Sequence, residues 1–381
     1  MHPFVLSCCS TTDLTPEQYS ALDLHYISLH FFLDGKEYID DYGKTLPMRD
    51  FFEAMAAGAR TATSQVTVGE FEAYFRGFLE RGQDILHLSL SSALSGCYQS
   101  ACAARETLLE EFPERKICVV DSLCGSGGAA ILMLDAAARR DRGESMDEIA
   151  AWLEARKLHV HHWLFTPDLS CFVRGGRVSA TAGWIGTLLR LCPVIEANRE
   201  GKLIPREKIR GKQRAMQALV RHMLCCAEGG AAYDGPCHIS YANNLPEAQT
   251  LAQMVEEAFP KLRGKVVLNT VGTTLGSHCG PGKAKRIRDN SKTIIHTSSS
   301  GKKGITVTLG KSPVWPFFCF CIKQGRTGGV THRYGPFFIS GNRAYLSVAR
   351  NSDTSAVVMS KYITRFSASN SPVTLYRFFG S

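Results

Sequence analysis

Short apolar runs alternate with helical segments over residues 1–150, and this alternation restricts the fold more than any other feature of the chain. Segments 70–81 and 98–111 carry apolar residues at helical spacing. The apolar runs around them are residues 4–6, 26–32, 85–90 and 117–120. Strands separated by helices pair in parallel, because each helix returns the chain to the end of the sheet where the previous strand began. Residues 1–155 are therefore predicted to form an α/β domain with a mainly parallel sheet.

A second α/β domain is predicted for residues 156–282. Ser145, followed three residues later by Glu148, is typical of a helix N-cap, and the helix that begins at residue 146 is predicted to end the first domain. Beyond it, the apolar spacing predicts helices near 179–190, 212–226 and 245–259, and strands at 192–197, 238–241 and 266–269. Helices that alternate with strands again indicate an α/β arrangement.

The charge of the chain is concentrated in its last quarter. Residues 283–381 contain 16 Lys and Arg but only two acids, Asp289 and Asp353, so this segment carries a charge of +14. Residues 1–282 hold 28 basic and 33 acidic residues, a balance of −5, although the whole chain carries +9. The basic balance therefore gives no reason to expect nucleic-acid binding by residues 1–282.

Residues 283–381 are predicted to be an atypical basic extension. Ser, Thr, Lys, Arg and Gly dominate it, and no helical period persists, so we expect a poorly ordered segment with 305–309 and 316–322 as candidate strands. The alternative is a basic arm that contacts nucleic acid or an anionic membrane, helped by Trp315 and Phe317.

Cysteine spacing and hydropathy exclude several classes of protein. The 14 cysteines are scattered without a C-x-x-C pair, so we expect reduced thiols and no metal site. The N-terminus lacks a basic stretch followed by a long apolar one, and no window reaches about 18 consecutive apolar residues. A cytoplasmic protein without stable membrane insertion is expected.

Two hydroxyl-rich segments interrupt the apolar pattern of the first domain. Thr63 begins the sequence TSQ ahead of one predicted helix, and Ser95 lies in residues 90–96 (LSSALSG) after the apolar run 85–90. Ligands of open parallel sheets bind beyond the carboxyl ends of strands, where hydroxyls beside helix N-termini can hold an anion. The simpler interpretation is that these hydroxyls cap helices.

Three further segments carry isolated charged or titratable side chains. Arg177 follows paired glycines in residues 174–179 (RGGRVS), Arg210 lies just before a predicted helix, and His278 lies in the glycine-rich residues 276–282 (GSHCGPG). A guanidinium can bind a carboxylate or phosphate, and an imidazole titrates near neutral pH. The simpler interpretation is a set of exposed turns with solvated arginines and one structural histidine.

Other site patterns carry little weight. Residues 125–130 (GSGGAA) match a loose dinucleotide-binding pattern, but small residues at a tightly packed helix start explain them equally well. The sequence contains no G-x-S-x-G elbow, no nucleotide-phosphate loop and no recognisable pair of catalytic carboxylates. We therefore expect a binding protein and not a self-sufficient enzyme. The alternative is an acyl or phosphoryl transferase that uses His278 with Ser95.

In this order and spacing the polar segments resemble the DegV family across residues 1–282. The motifs that carry the resemblance are residues 10–14 (STTDL), 63–65, 94–101 (LSGCYQSA), 119–122 (VVDS), 174–179, 208–212 and 276–282. Members of this family typically end just after the histidine loop with a short apolar strand. Here the basic extension follows instead, so the final strand of the second domain is expected to be missing.

The resemblance implies two α/β domains that bury one long-chain fatty acid between or beneath them. Such proteins act as the lipid-binding subunit of bacterial fatty acid kinase, which phosphorylates the bound carboxylate to an acyl phosphate for phospholipid synthesis. The resemblance assigns the carboxylate to Thr63, Ser95, Arg177 and His278. Arg210 is expected to engage the partner kinase or the phosphoryl group, and no cofactor is expected beyond the fatty acid itself.

Overall fold

The computed structural model describes residues 4–179, 191–281, 305–309, 333–340, 343–350 and 353–360. The chain divides into two units, Met1–Val314 and Trp315–Ser381. Residues 180–190 and 316–322, where a helix and a strand are predicted, lie outside the described residues. No helix among the residues described is long and apolar enough to cross a membrane.

The first part of the chain alternates strands and helices, as the sequence predicts. Its strands are β1 (Phe4–Cys9), β2 (Leu24–Ile27), β3 (His30–Leu33), β4 (Lys36–Ile39), β5 (Thr61–Ser64), β6 (Asp84–Ser89) and β7 (Ile117–Asp121). Its helices are α1 (Pro16–Ala21), α2 (Met48–Ala57), α3 (Val68–Leu79), α4 (Cys97–Glu111), α5 (Gly127–Asp141) and α6 (Met146–Arg156). The predicted N-cap of α6 is confirmed, because Ser145 and Glu148 form a reciprocal capping box.

A four-stranded parallel sheet, in the order β2-β1-β6-β7, forms the centre of this region. All six residues of β1 are buried, because helices cover both faces of the sheet. Phe4, Leu6 and Cys8 pack in one apolar cluster with residues of α5 and α6, whereas Val5 and Cys9 pack in another with residues of α3 and α4. The α/β class and the parallel N-terminal sheet are confirmed.

The apolar run 26–32 does not form one strand as predicted. It is divided between β2, which stays in the parallel sheet, and β3, which is the central strand of a separate antiparallel sheet in the order β4-β3-β5. Asp34 and Gly35 have φ of 50° and 85° between β3 and β4, and such a left-handed pair suits the two-residue turn of a twisted hairpin. This turn reverses the chain, so that β4 pairs antiparallel with β3.

The second α/β region contains the remaining elements of the first unit. Its strands are β8 (His161–Phe165), β9 (Leu191–Ala197), β10 (Leu203–Arg210), β11 (Cys237–Tyr241), β12 (Val267–Thr270) and β13 (Ile305–Leu309). Its helices are α7 (Ser170–Arg174), α8 (Lys212–Cys226), α9 (Leu245–Ala258) and α10 (Thr273–Cys279). Trp163, Phe165 and Ile239 face a core that is completed by apolar residues of α8 and α9.

One strand of this second sheet comes from the basic extension. The strand order is β10-β9-β8-β13-β11-β12, and β13 pairs antiparallel with both β8 and β11. The predicted strand at 305–309 is therefore present, and it fills the slot between two strands of the family-like region. The predicted domain limits at residues 155 and 282 stay predictions.

The second unit contains three described strands, β14 (Arg333–Ser340), β15 (Arg343–Arg350) and β16 (Asp353–Ser360). They form an antiparallel sheet in the order β14-β15-β16.

Candidate functional site

A largely apolar cavity lies where the N-terminal elements meet β8, β9, β10 and α10. Its empty volume is about 780 Å³ when the space open to solvent is included. Its apolar lining consists of Leu29, Leu90, Leu94, Leu164, Phe172, Ala197, Leu203, Val271 and Leu275. A lining of this kind favours a ligand with a long hydrocarbon part.

Four of the predicted site residues line this cavity: Thr63, Ser95, Arg177 and His278. Thr63 Oγ1 and His278 Nε2 lie 3.0 Å apart, within hydrogen-bonding distance. Arg177 donates from Nε to the carbonyl of Leu94, at 3.0 Å, and therefore lies next to Ser95. The four side chains thus form one polar group within an apolar wall.

Each of these residues is held by a different element. Thr63 lies in β5 opposite Phe31 of β3, and Ser95 lies in the turn between β6 and α4. Arg177 follows α7, where its amide donates to the carbonyl of Phe172 at 2.9 Å. His278 lies in α10, far along the chain from Thr63. The site therefore exists only when both α/β regions are folded against each other.

Two buried carboxylates that the sequence analysis did not select fix the start of α10. Asp40 accepts hydrogen bonds from the amides of Thr273 and Thr274, both at 3.2 Å, and from the Thr273 hydroxyl at 2.9 Å. Asp13 accepts from the amide of Gly272 at 2.8 Å. Burial raises the pKa of both carboxyls, although these donors oppose the effect. Asp13 and Asp40 thereby position the helix that carries His278.

Gly272 lies tightly between these two carboxylates. A Cβ at this position would lie 3.0 Å from Asp40 Oδ2 and 3.1 Å from Asp13 Oδ1.

Of the two carboxylates, only Asp13 could have been selected from the sequence. It belongs to the STTDL segment, and a polar residue directly after a buried strand indicates a position at the ligand-binding edge of a parallel sheet. Asp40 follows an exposed hairpin strand and has no comparable signal in the sequence.

The charge of the polar group is set by Arg177. Burial, helped by the positive charges of Arg177 and Arg174, lowers the pKa of His278 to about 3, so this imidazole is neutral at neutral pH. Burial also lowers the pKa of Arg177, but a guanidinium stays protonated. Among the described residues, no carboxylate lies within 4.0 Å of the Arg177 guanidinium. The group therefore carries one positive charge that suits a monoanion.

The fifth predicted residue, Arg210, lies apart from these four. It is the last residue of β10, its side chain is exposed, and it does not belong to the described cavity lining. Its role in partner binding stays a prediction.

Among the hydrogen bonds of the described residues, none joins Ser95 to His278. The Ser95 hydroxyl donates to Cys97 Sγ at 3.2 Å, whereas His278 contacts Thr63. A serine nucleophile needs its base within hydrogen-bonding reach, so this arrangement does not favour the transferase alternative. The described residues also contain no cluster of three side chains suited to a metal ion.

Gly175 is packed against His278, and we expect a methyl group there to displace the imidazole. A Cβ at Gly175 would lie 2.2 Å from His278 Nδ1 and 2.6 Å from Cε1, so Gly175→Ala forces the ring out of the position in which it contacts Thr63. Overpacking of this kind costs about 1–3 kcal/mol. Thermal unfolding and ligand titration of the variant are expected to show a lower melting temperature, weaker binding, or both.

Gly69→Ala is the matched control, because a Cβ at Gly69 would meet no atom within 4 Å. This variant is expected to keep both the stability and the affinity of the parent. A Gly175→Ala protein that matched it in both measurements would contradict the placement of His278.

Comparison with known proteins places the chain in one family. A family model described as "Uncharacterised protein, DegV family" matches residues 9–284. A DegV domain-containing protein of Clostridium perfringens is 33% identical over 282 residues, which cover 74% of this chain and 96% of that protein. A DegV domain-containing protein of Streptococcus pyogenes serotype M1 is 33% identical over 279 residues, covering 73% and 95%.

Solved structures share the fold. A DegV family protein from Thermus thermophilus, described for its fatty acid binding, is 25% identical, with a TM-score of 0.66 over 81% of this chain and 99% of that one. The fatty acid kinase B3 protein of Streptococcus pneumoniae, loaded with linoleic acid, is 20% identical, with a TM-score of 0.64 over 81% and 99%. From the family model, the curated relatives and the shared fold, we conclude that the chain belongs to the DegV family.

Proposed function

We propose that this protein binds one long-chain fatty acid in its cavity and presents the carboxylate to a fatty acid kinase, which forms an acyl phosphate. The observation that carries the proposal is Arg177. Its guanidinium is half-buried, borders an apolar cavity and has no carboxylate partner within 4.0 Å among the described residues. An anion with a hydrocarbon tail satisfies both the charge and the apolar wall.

The apolar wall supplies most of the affinity for the tail. Burial of each methylene contributes about 0.8 kcal/mol, so a 16-carbon acid gains roughly 11 kcal/mol before the entropy cost of binding. Leu94, Phe172 and Leu203 belong to a buried apolar cluster or pack against it, so this part of the wall is apolar and is held in place by the fold. Such a surface binds hydrocarbon better than it binds water.

The polar group compensates the loss of water around the carboxylate. Neutral His278 can donate from Nε2 to Thr63 Oγ1, which leaves the threonine hydroxyl proton for the ligand. Ser95 offers a second hydroxyl, and Arg177 offers charge-assisted N–H donors. A buried carboxylate needs several such donors, because an unpaired charge is very costly away from water.

The relatives support the same ligand class. The Thermus thermophilus relative is described for fatty acid binding, and the Streptococcus pneumoniae relative is a fatty acid kinase B3 protein loaded with linoleic acid. A carrier whose ligand exposes its carboxylate to a kinase is consistent with both.

Native mass spectrometry of the purified protein, followed by solvent extraction, tests the binding step. We expect one fatty acid per chain, and the extract identifies its length and unsaturation. A protein that stays empty after incubation with palmitate and with oleate would contradict the proposed ligand.

A kinase assay with a bacterial fatty acid kinase catalytic subunit and ATP tests the presentation step. We expect Arg210→Ala to keep its bound fatty acid but to lower acyl phosphate formation about tenfold, the cost of one lost charged contact at an interface. The matched control is Arg206→Ala, because Arg206 lies exposed on the same strand and pairs with Glu196 of this chain. Equal phosphorylation in the two variants would remove Arg210 from the partner surface.

A further inference from the structure

A second polar group borders the cavity at His162, and the proposed carboxylate site does not use it. His162 lies in β8, is 6% exposed and lines the cavity. Its Nδ1 is buried and has no hydrogen-bond partner. An unpartnered nitrogen is unfavourable in an apolar wall, and native proteins rarely keep one without a reason.

The alternation of β8 directs His162 toward the cavity. Trp163 and Phe165 belong to the core under α8 and α9, on one face of the strand. Leu164 belongs to a different cluster on the other face and lines the cavity. Because side chains two residues apart share a face, His162 lies on the same side as Leu164.

His162 lies along the path of a bound tail and away from the carboxylate donors. The carboxyl end of β8 leads into α7 and then to Arg177, and Leu164 packs in one cluster with Phe172 of α7. His162 precedes Leu164 by two residues, so it lies about 7 Å further from the carboxyl end of β8 than Leu164 does. It pairs across the sheet with Ala197, which also lines the cavity. A chain that starts at Arg177 and passes Leu164 therefore reaches His162.

We propose that His162 recognises a hydroxyl group on the acyl chain, so that the ligand class is a hydroxylated long-chain fatty acid. This inference rests on the proposed fatty acid binding and adds the chemistry of the tail. A neutral imidazole can donate one hydrogen bond and accept another, as a hydroxyl does. Burial lowers the pKa of His162 to about 4, which keeps the ring neutral at neutral pH.

The test is a competition titration of palmitate against hydroxypalmitates whose hydroxyl is moved along the chain. We expect one positional isomer to bind about five- to tenfold tighter than palmitate, the value of one net hydrogen bond. His162→Leu is expected to abolish that preference, so that the variant binds no hydroxypalmitate tighter than palmitate. His162→Gln retains an amide donor and acceptor and is expected to keep part of the preference.

His238→Leu is the matched control. His238 lies in β11, is 3% exposed and also has an unpartnered Nδ1, but it is not part of the described cavity lining. This variant is expected to keep the preference, and thermal unfolding of each variant checks that it folds. A parent that binds every hydroxypalmitate no tighter than palmitate would overturn the role of His162, as would a His162→Leu variant that keeps the preference. Failure to bind either kind of acid would instead overturn the fatty acid proposal itself.

Discussion

Replacement of Arg177 by alanine is expected to weaken fatty acid binding by about 30- to 1,000-fold. The variant leaves the ligand carboxylate next to Thr63, Ser95 and His278, none of which is charged at neutral pH in this site. Loss of one partner from a buried charge pair costs about 2–4 kcal/mol, mostly because the remaining charge stays desolvated. Titration of the delipidated variant with palmitate measures the change.

Two comparisons separate this effect from a loss of folding. Arg206→Ala removes an exposed arginine that pairs with Glu196 and is expected to leave the affinity unchanged. Arg177→Lys keeps the charge but not the planar fork, so an intermediate affinity is expected. A fatty acid methyl ester, which carries no charge, is expected to bind the parent and Arg177→Ala about equally. Undiminished palmitate binding by Arg177→Ala would show that another group holds the carboxylate.

A chain that ends at residue 282 is expected to be far less stable than one that ends at residue 314. The shorter chain lacks β13, which pairs through five residues with β8 and through five with β11. Its removal leaves the backbone groups of both neighbours unpaired in the middle of a sheet. With about one hydrogen bond for each of these pairings and about 0.5–1.5 kcal/mol net for each bond, the loss is about 5–15 kcal/mol, or a melting temperature lower by about 10 °C or more.

The chain that ends at residue 314 is the matched control, because it keeps the whole first unit. It is expected to unfold at nearly the parent temperature and to bind fatty acid. The shorter chain is expected to bind poorly, because His162 and Leu164 of β8 line the cavity. A synthetic peptide of residues 301–314, added to the shorter chain, is expected to restore part of the stability. Equal melting temperatures for the two truncated chains would show that the sheet closes without β13.

The N-terminal fold could be predicted because its signals are local. The apolar runs 4–6, 85–90 and 117–120 became β1, β6 and β7, since strands covered on both faces appear as continuous apolar sequence. The single strand predicted for the run 26–32 was wrong, because the run contains parts of two strands that belong to different sheets. The apolar content of the run does not show where one strand ends and the next begins.

The site could be predicted in part. Thr63, Ser95, Arg177 and His278 stood out because each interrupts a structured region with a polar group, and all four line the cavity. The buried Asp40 was missed, because its partners in α10 lie more than 230 residues away in the chain. Nothing near Asp40 in the sequence indicates that it caps a distant helix.

The α/β class, most of the strands and helices, and the residue types available to the site follow from the amino-acid order, because apolar periodicity and turn chemistry act over a few residues. Which of these residues meet depends on long-range packing. It joined Thr63 to His278, placed β13 between β8 and β11, and directed His162 into the cavity. It also made His278 neutral, because the pKa of an imidazole depends on the water and charge that surround it after packing.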